Sequence, residues 1–173
     1  LSSPEDIFYS EATGKFYILD TDNNRIVITD REFQNTKVLD QFFYEDGFEE
    51  ELKEPEGIFV TDDGTIYIAD TQNFRIVLCE TGLVKKVLNQ PDTSYFPADK
   101  SFTPLGIVVD SIGVIYVTCE GVYNGALMMD QENQFLGYFG SNEVKVTPQL
   151  LLNRFWKSIL SNEASSKIAD YIP

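Results

Sequence analysis

The feature that most narrows what this chain can become is that it repeats itself. Three segments align: "PEDIFYSEATGKFYILDTDNNRIVITD" from Pro4, "PEGIFVTDDGTIYIADTQNFRIVLCE" from Pro55 and "PLGIVVDSIGVIYVTCEGVYNGALMMD" from Pro104. Asp20 recurs as Asp70 and Arg25 as Arg75, and Tyr17, Tyr67 and Tyr116 mark one position in all three copies. A period of about 50 residues matches one four-stranded propeller blade and is too long for most two-helix repeats.

Each copy carries four short strand signals. An apolar run follows the proline (Ile7-Phe8-Tyr9, Ile58-Phe59-Val60, Ile107-Val108-Val109), then a glycine-containing turn, as a hairpin needs. The second run, "FYIL", "IYIA" or "IYV", is apolar on both faces. Such a strand must be covered on both sides, as happens when blades stack face to face. A third run ("RIVIT", "RIVLC", "ALMM") and a fourth ("TKVLDQF", "LVKKVL", "FLGYF") complete the unit. The expectation is an all-β partial propeller of three blades, at about 1–44, 52–90 and 101–141.

The second copy, with its pattern P-x-G-I-x-V-x-x-x-G-x-I-Y-I-A-D-T-x-N-x-R-I, resembles the NHL repeat. The resemblance runs from residue 4 to about 140. It weakens in the third copy, where Cys119-Glu120 replaces Asp-Thr and Asn124 or Gly125 falls at the arginine position. It implies a propeller that usually has six blades, and it speaks for fold far more than for function.

"DTDNNR" looks at first like an ion-binding loop. Asp20, Asp22 and Asn24 occupy the first three ligand positions of an EF-hand-like loop, but Arg25 stands where glycine belongs and Arg31 where the closing glutamate belongs. The second copy loses the middle acid to Gln72. The residues fit a hairpin instead. Asp20 ends one strand and Arg25 starts the next, so they lie opposite each other and pair across the ladder; Asp70 and Arg75 repeat the arrangement. Asp20, Arg25, Asp70 and Arg75 are therefore read as structural clamps, with no catalytic, cofactor or metal residue assigned; a calcium site is the only cofactor left in view.

Composition narrows the chemistry further. The chain has no histidine, which excludes imidazole-dependent triads and histidine-bound zinc within it. Cys79 and Cys119 are too few for a cysteine zinc site and read as separate buried thiols, with one disulfide as the alternative. Thirteen basic against 28 acidic side chains give a net charge of −15, which repels nucleic acid and anionic membranes.

Between the copies, the acidic run 44–57 is expected to be a solvated loop with a short helical turn. The loop 89–102 carries Tyr95 and Phe96, taken as ligand-facing because interblade loops surround a propeller mouth. Residues 147–162 predict an amphipathic helix: Leu151, Phe155 and Ile159 fall at steps of four, as do Leu152, Trp156 and Leu160. Leu152, Phe155 and Trp156 are candidate docking residues on it. Residues 166–173 resemble the start of a further repeat, so additional blades or self-association are expected to cover the open ends.

Two functions follow from the resemblance. One is a noncatalytic scaffold binding a protein, peptide or glycan, in a bacterial extracytoplasmic or cell-surface setting. The alternative is a divalent-metal-dependent hydrolase similar to the gluconolactonase-type propellers, in which Glu5 and Glu56 would point inward; Leu105 breaks the set in the third copy. Amidating-lyase relatives need histidine-bound zinc, and RNA-binding relatives need basic faces. Neither suits this chain.

Overall fold

The computed structural model describes residues 1–140. Blade 1 is an antiparallel sheet of β1 (Pro4–Ser10), β2 (Lys15–Asp20), β3 (Arg25–Thr29) and β4 (Thr36–Leu39), in that spatial order. A small hairpin of β5 (Phe42–Phe43) and β6 (Glu49–Glu50) follows. Blade 2 is built from β7 (Gly57–Val60), β8 (Ile66–Asp70), β9 (Arg75–Glu80) and β10 (Leu83–Leu88). Blade 3 is β11 (Pro104–Val109), β12 (Ile115–Cys119), β13 (Ala126–Met129) and β14 (Phe135–Phe139). All twelve strands predicted from the repeat are present, and the three sheets do not close into a ring.

The hairpin β5–β6 departs from expectation. The segment is solvated as expected, residues 45–49 being exposed, but in place of a helical turn it joins the outer edge of blade 2, giving six strands in the order β6-β5-β10-β9-β8-β7. Phe43 pairs with Leu83 in parallel, and Phe42 is buried. Gly82 permits this contact: its φ is +97°, and a side chain there would come within 2.6 Å of the Gln41 carbonyl oxygen. Burying Phe42 offsets the ordering of an otherwise acidic segment.

The core lies between blades. Ile66 and Ile68 of β8 pack towards Tyr17, Leu19 and Ile26 of blade 1. Tyr67, between them, packs the other way, against Ile107, Val117 and Leu127 of blade 3. This is the period-2 alternation of a strand with a core on each face. β8 is accordingly buried along its whole length, whereas β2 and β12 keep half-buried or exposed positions. The outward faces of the flanking blades carry exposed Ile7 and Val38 on blade 1, and Val108 and Phe139 on blade 3.

Inner strands meet backbone to backbone. A methyl group on Gly57 of β7 would overlap the Leu105 carbonyl oxygen of β11. Blade 1 carries Asp6 at the corresponding position, and its Oδ2 accepts a hydrogen bond from Ile58 N at 2.9 Å. The predicted helix over 147–162, with Leu152, Phe155 and Trp156, and the further repeat over 166–173 lie outside the described residues.

Candidate functional site

The two Asp–Arg hairpins share one geometry. At the end of β2, Asp20 Oδ1 accepts from Ser2 N at 2.5 Å, while Oδ2 accepts from Asn23 Nδ2 at 3.0 Å and from Arg25 Nε at 2.6 Å. At the end of β8, Asp70 Oδ1 accepts from Lys53 N at 2.7 Å, and Oδ2 accepts from Asn73 Nδ2 at 2.9 Å and from Arg75 Nε at 2.8 Å. Both carboxylates are fully buried. A short 3-10 turn follows each, closed by a left-handed residue, Asn24 or Phe74. Burial alone would raise the Asp20 carboxyl, but the donors from Ser2, Arg25 and Asn23 and the Arg25 charge outweigh it and hold it below its ordinary value. A cation at either aspartate would have to displace a guanidinium.

The second clamp is more heavily built. Arg75 Nη2 also donates to Glu50 Oε1 at 2.7 Å and to the Glu51 carbonyl at 3.1 Å, and the Tyr44 hydroxyl donates to Glu50 Oε2. Burial pushes the Glu50 carboxyl up, yet hydrogen bonds from Arg75 and Tyr44 and the Arg75 charge bring it below its ordinary value. The same network, with burial as the largest cause, pushes the Tyr44 phenol to about 12. The third copy holds Cys119 at the aspartate position; this thiol and that of Cys79 are free, buried and pushed by burial to about 12, so both are inert.

A pair of threonines that the sequence did not single out locks the blades together. Thr21 Oγ1 donates to the Pro55 carbonyl at 2.7 Å, and Thr71 Oγ1 donates to the Pro104 carbonyl at the same distance. Each ties one blade's hairpin to the repeat proline at the start of the next blade, just before β7 in one case and at the first residue of β11 in the other. The repeated Asp-Thr and the repeated proline were both legible, but not that they meet.

At the other end of β8, the turns 61–65 and 110–113 border a cleft of about 860 Å³. Its floor is apolar, made by Phe8, Phe59, Val60, Leu78 and Val109. Asp62, Asp63, Glu80 and Asp110 line it together with Lys85 and Lys86, so the cleft carries both signs of charge. Gln131 Nε2 donates to the Tyr67 hydroxyl at 2.7 Å, bridging blade 3 to blade 2 at the cleft. Burial raises the Tyr67 phenol, which stays protonated and able to donate. No pattern in the sequence marks this cleft, because its walls come from turns of different repeats.

Tyr95 and Phe96 part company. Tyr95 is 62% exposed and stacks on Phe135 with ring centres 5.7 Å apart. Phe96 is only 5% exposed and meets Phe102 edge-on at 6.2 Å, so it belongs to the core rather than to a ligand-facing loop. The loop meets blade 3 at Tyr95, whose carbonyl accepts from the Tyr138 hydroxyl at 3.3 Å while its ring stays largely exposed. Glu56 is half-buried, and burial followed by the charges of Glu5, Glu120 and Glu54 raises its carboxyl. Among the described residues, no three acidic or cysteine side chains converge closely enough to hold a metal ion.

No protein-family model matches the chain, and a search of curated proteins returns no match. Solved structures do match. Hydrazine synthase from Kuenenia stuttgartiensis superposes with a TM-score of 0.56 at 17% identity, covering 82% of this chain and 37% of the other. A virginiamycin B lyase from Staphylococcus aureus superposes with a TM-score of 0.52 at 13% identity, covering 82% of this chain and 43% of the other. These neighbours are β-propeller proteins, and the likeness shows a propeller-like fold for the three blades. The chain spans less than half the length of either.

Proposed function

We propose that this chain is part of an NHL-type β-propeller that acts as a noncatalytic binding module, with a peptide segment held in the cleft between blades 2 and 3. The carrying observation is the division of labour along β8. At one end, every oxygen of the repeated aspartate is used by internal donors. At the other, Asp63 and Asp110 hold their own turns and Lys85 lies near Glu80, while Asp62 and Lys86 stand exposed beside an apolar floor. An apolar floor with a few polar groups at its rim is the make-up of a ligand site. A peptide fits the mixed rim because it offers charges of both signs together with apolar side chains.

Peptides of mixed charge and neutral oligosaccharides, passed over the immobilised protein, test this. Peptide binding that weakens about tenfold or more in Lys86→Glu and in Asp62→Lys is expected; both side chains are exposed, so the fold is kept. Binding of oligosaccharides alone, or peptide binding indifferent to both changes, overturns the peptide reading. The crowding of Glu5, Glu54 and Glu120 around Glu56 is the one observation favouring a metal-dependent hydrolase instead. That reading requires a calcium-dependent thermal shift together with lactone hydrolysis.

A further inference from the structure

The register of blade 2 draws a straight row of side chains across the cleft. Phe59 lies opposite Tyr67, Tyr67 opposite Leu78 and Leu78 opposite Lys86, one residue from each of β7, β8, β9 and β10. Directly opposed residues share a face of a sheet, and all four line the cleft. The row changes character along its length. At its inner end the Phe8 ring of blade 1 meets Phe59 with ring centres 4.8 Å apart, and both residues are half-buried. Tyr67 and Leu78 are buried, and Gln131 reaches over from blade 3 to the Tyr67 hydroxyl. Lys86 ends the row exposed and forms no ion pair among the described residues, whereas Lys85 beside it lies 3.8 Å from Glu80. The same row recurs in blade 1 as Phe8, Tyr17, Ile28 and Lys37. In blade 3 it reads Val108, Tyr116, Met128 and Gly137, without phenylalanine or lysine. Of the two lysines that end a row, Lys86 lines the cleft and Lys37 does not.

We propose that the cleft selects extended peptides carrying a large apolar side chain and an acidic one about four residues apart, the apolar group seated against Phe8 and Phe59 and the carboxylate at Lys86. The inference rests on the peptide reading of the cleft and adds what the peptide must contain. Neighbouring strands are spaced about 4.8 Å apart, so the steps from Phe59 to Lys86 cover about 14 Å. An extended peptide advances about 3.4 Å per residue, so about four residues cover the same distance. Its side chains alternate between faces, so positions an even number apart both point at the floor, and odd spacings turn one of them away. Charge fixes which end takes the acid. Asp62 and Asp63 follow Phe59 closely in the chain, so a carboxylate at the inner end meets like charge, while Lys86 offers a cation at the outer end.

Decapeptides of glycine and serine carrying one phenylalanine and one glutamate, spaced two, three, four or six apart and in both orders, are titrated against the full chain. Binding at spacing four is expected to exceed that at the other spacings about tenfold. In Lys86→Glu the preference should reverse, lysine replacing glutamate as the better companion of phenylalanine, and in Lys86→Gln it should vanish. Both changes fall on an exposed side chain, and an unchanged unfolding midpoint checks that the fold is kept. Lys37→Glu, at the equivalent position of blade 1 and outside the cleft, should leave both spacing and preference as they were. Equal binding at all spacings overturns the inference. So does an acid preference that survives in Lys86→Glu or is lost equally in Lys37→Glu; in each of these cases the peptide reading stands. Other peptides of mixed charge binding while none of these does also overturns the inference alone. Failure of every peptide overturns both.

Discussion

Blades 1 and 2 are near-copies in sequence, yet they are tied down differently. Both end their second strand in a buried aspartate that receives a backbone N–H from an upstream segment, Ser2 in one and Lys53 in the other. Arg25 then meets a single carboxylate and stays 32% exposed, whereas Arg75 spans Asp70 and Glu50 and is 17% exposed. The added partner comes from β6, in the hairpin that only blade 2 receives. At the inner strand the contrast runs through Asp6 and Gly57: a side chain reaches the next blade in one, and bare backbone does so in the other. A repeat motif therefore specifies a local bond, while its neighbours decide how much that bond holds.

The comparison can be broken most severely at Gly57. Gly57→Ala should cost about 3 kcal/mol by forcing β7 and β11 apart, whereas Asp6→Ala, which removes one charge-assisted hydrogen bond, should cost about 1 kcal/mol; urea unfolding of the two variants measures the difference. Next come the arginines. Arg75→Ala should cost about 2 kcal/mol because it strands Glu50 and deprives a buried aspartate, and Arg25→Ala about 1 kcal/mol, its side chain being partly hydrated. In a Glu50→Gln background the two costs should converge, which a double-mutant cycle reads directly.

The threonine latches sharpen the comparison from the other side. Thr21→Val and Thr71→Val each keep shape and remove one donor, so each should lower stability by about 1 kcal/mol. The costs should be equal, since the two bonds have the same length. The smallest effect is on pH. The folded Glu50 carboxyl lies below its ordinary value of 4.5, so its contribution is complete above that pH and fades as pH falls through the folded value. Glu56 is shifted the other way, so it disfavours the fold at neutral pH and is relieved as pH falls through its raised value. Glu50→Gln should flatten the acid loss of stability, and Glu56→Gln should raise the unfolding midpoint slightly at pH 7 while changing little in acid.

The Asp–Arg clamps were legible because both partners sit within one hairpin and recur together. The Thr21–Pro55 bond was not, because hydroxyl and carbonyl lie 34 residues apart and every proline has a carbonyl. Phe42 and Phe96 look alike as aromatic residues in polar loops, and both are buried, but only packing reveals which surface receives each. The glutamates of 49–51 read as solvated charge until Glu50 is found beneath Arg75.

By itself the sequence determined the strands, their grouping into three blades and the hairpins that close them, because each depends on side-chain alternation or on pairs a few residues apart. Tertiary structure alone decided the six-stranded edge of blade 2, the threonine latches, the close approach at Gly57 and the cleft at the turns. Those features arise where different repeats meet, and the distance between two segments of a chain is set by packing, not by their spacing in the sequence.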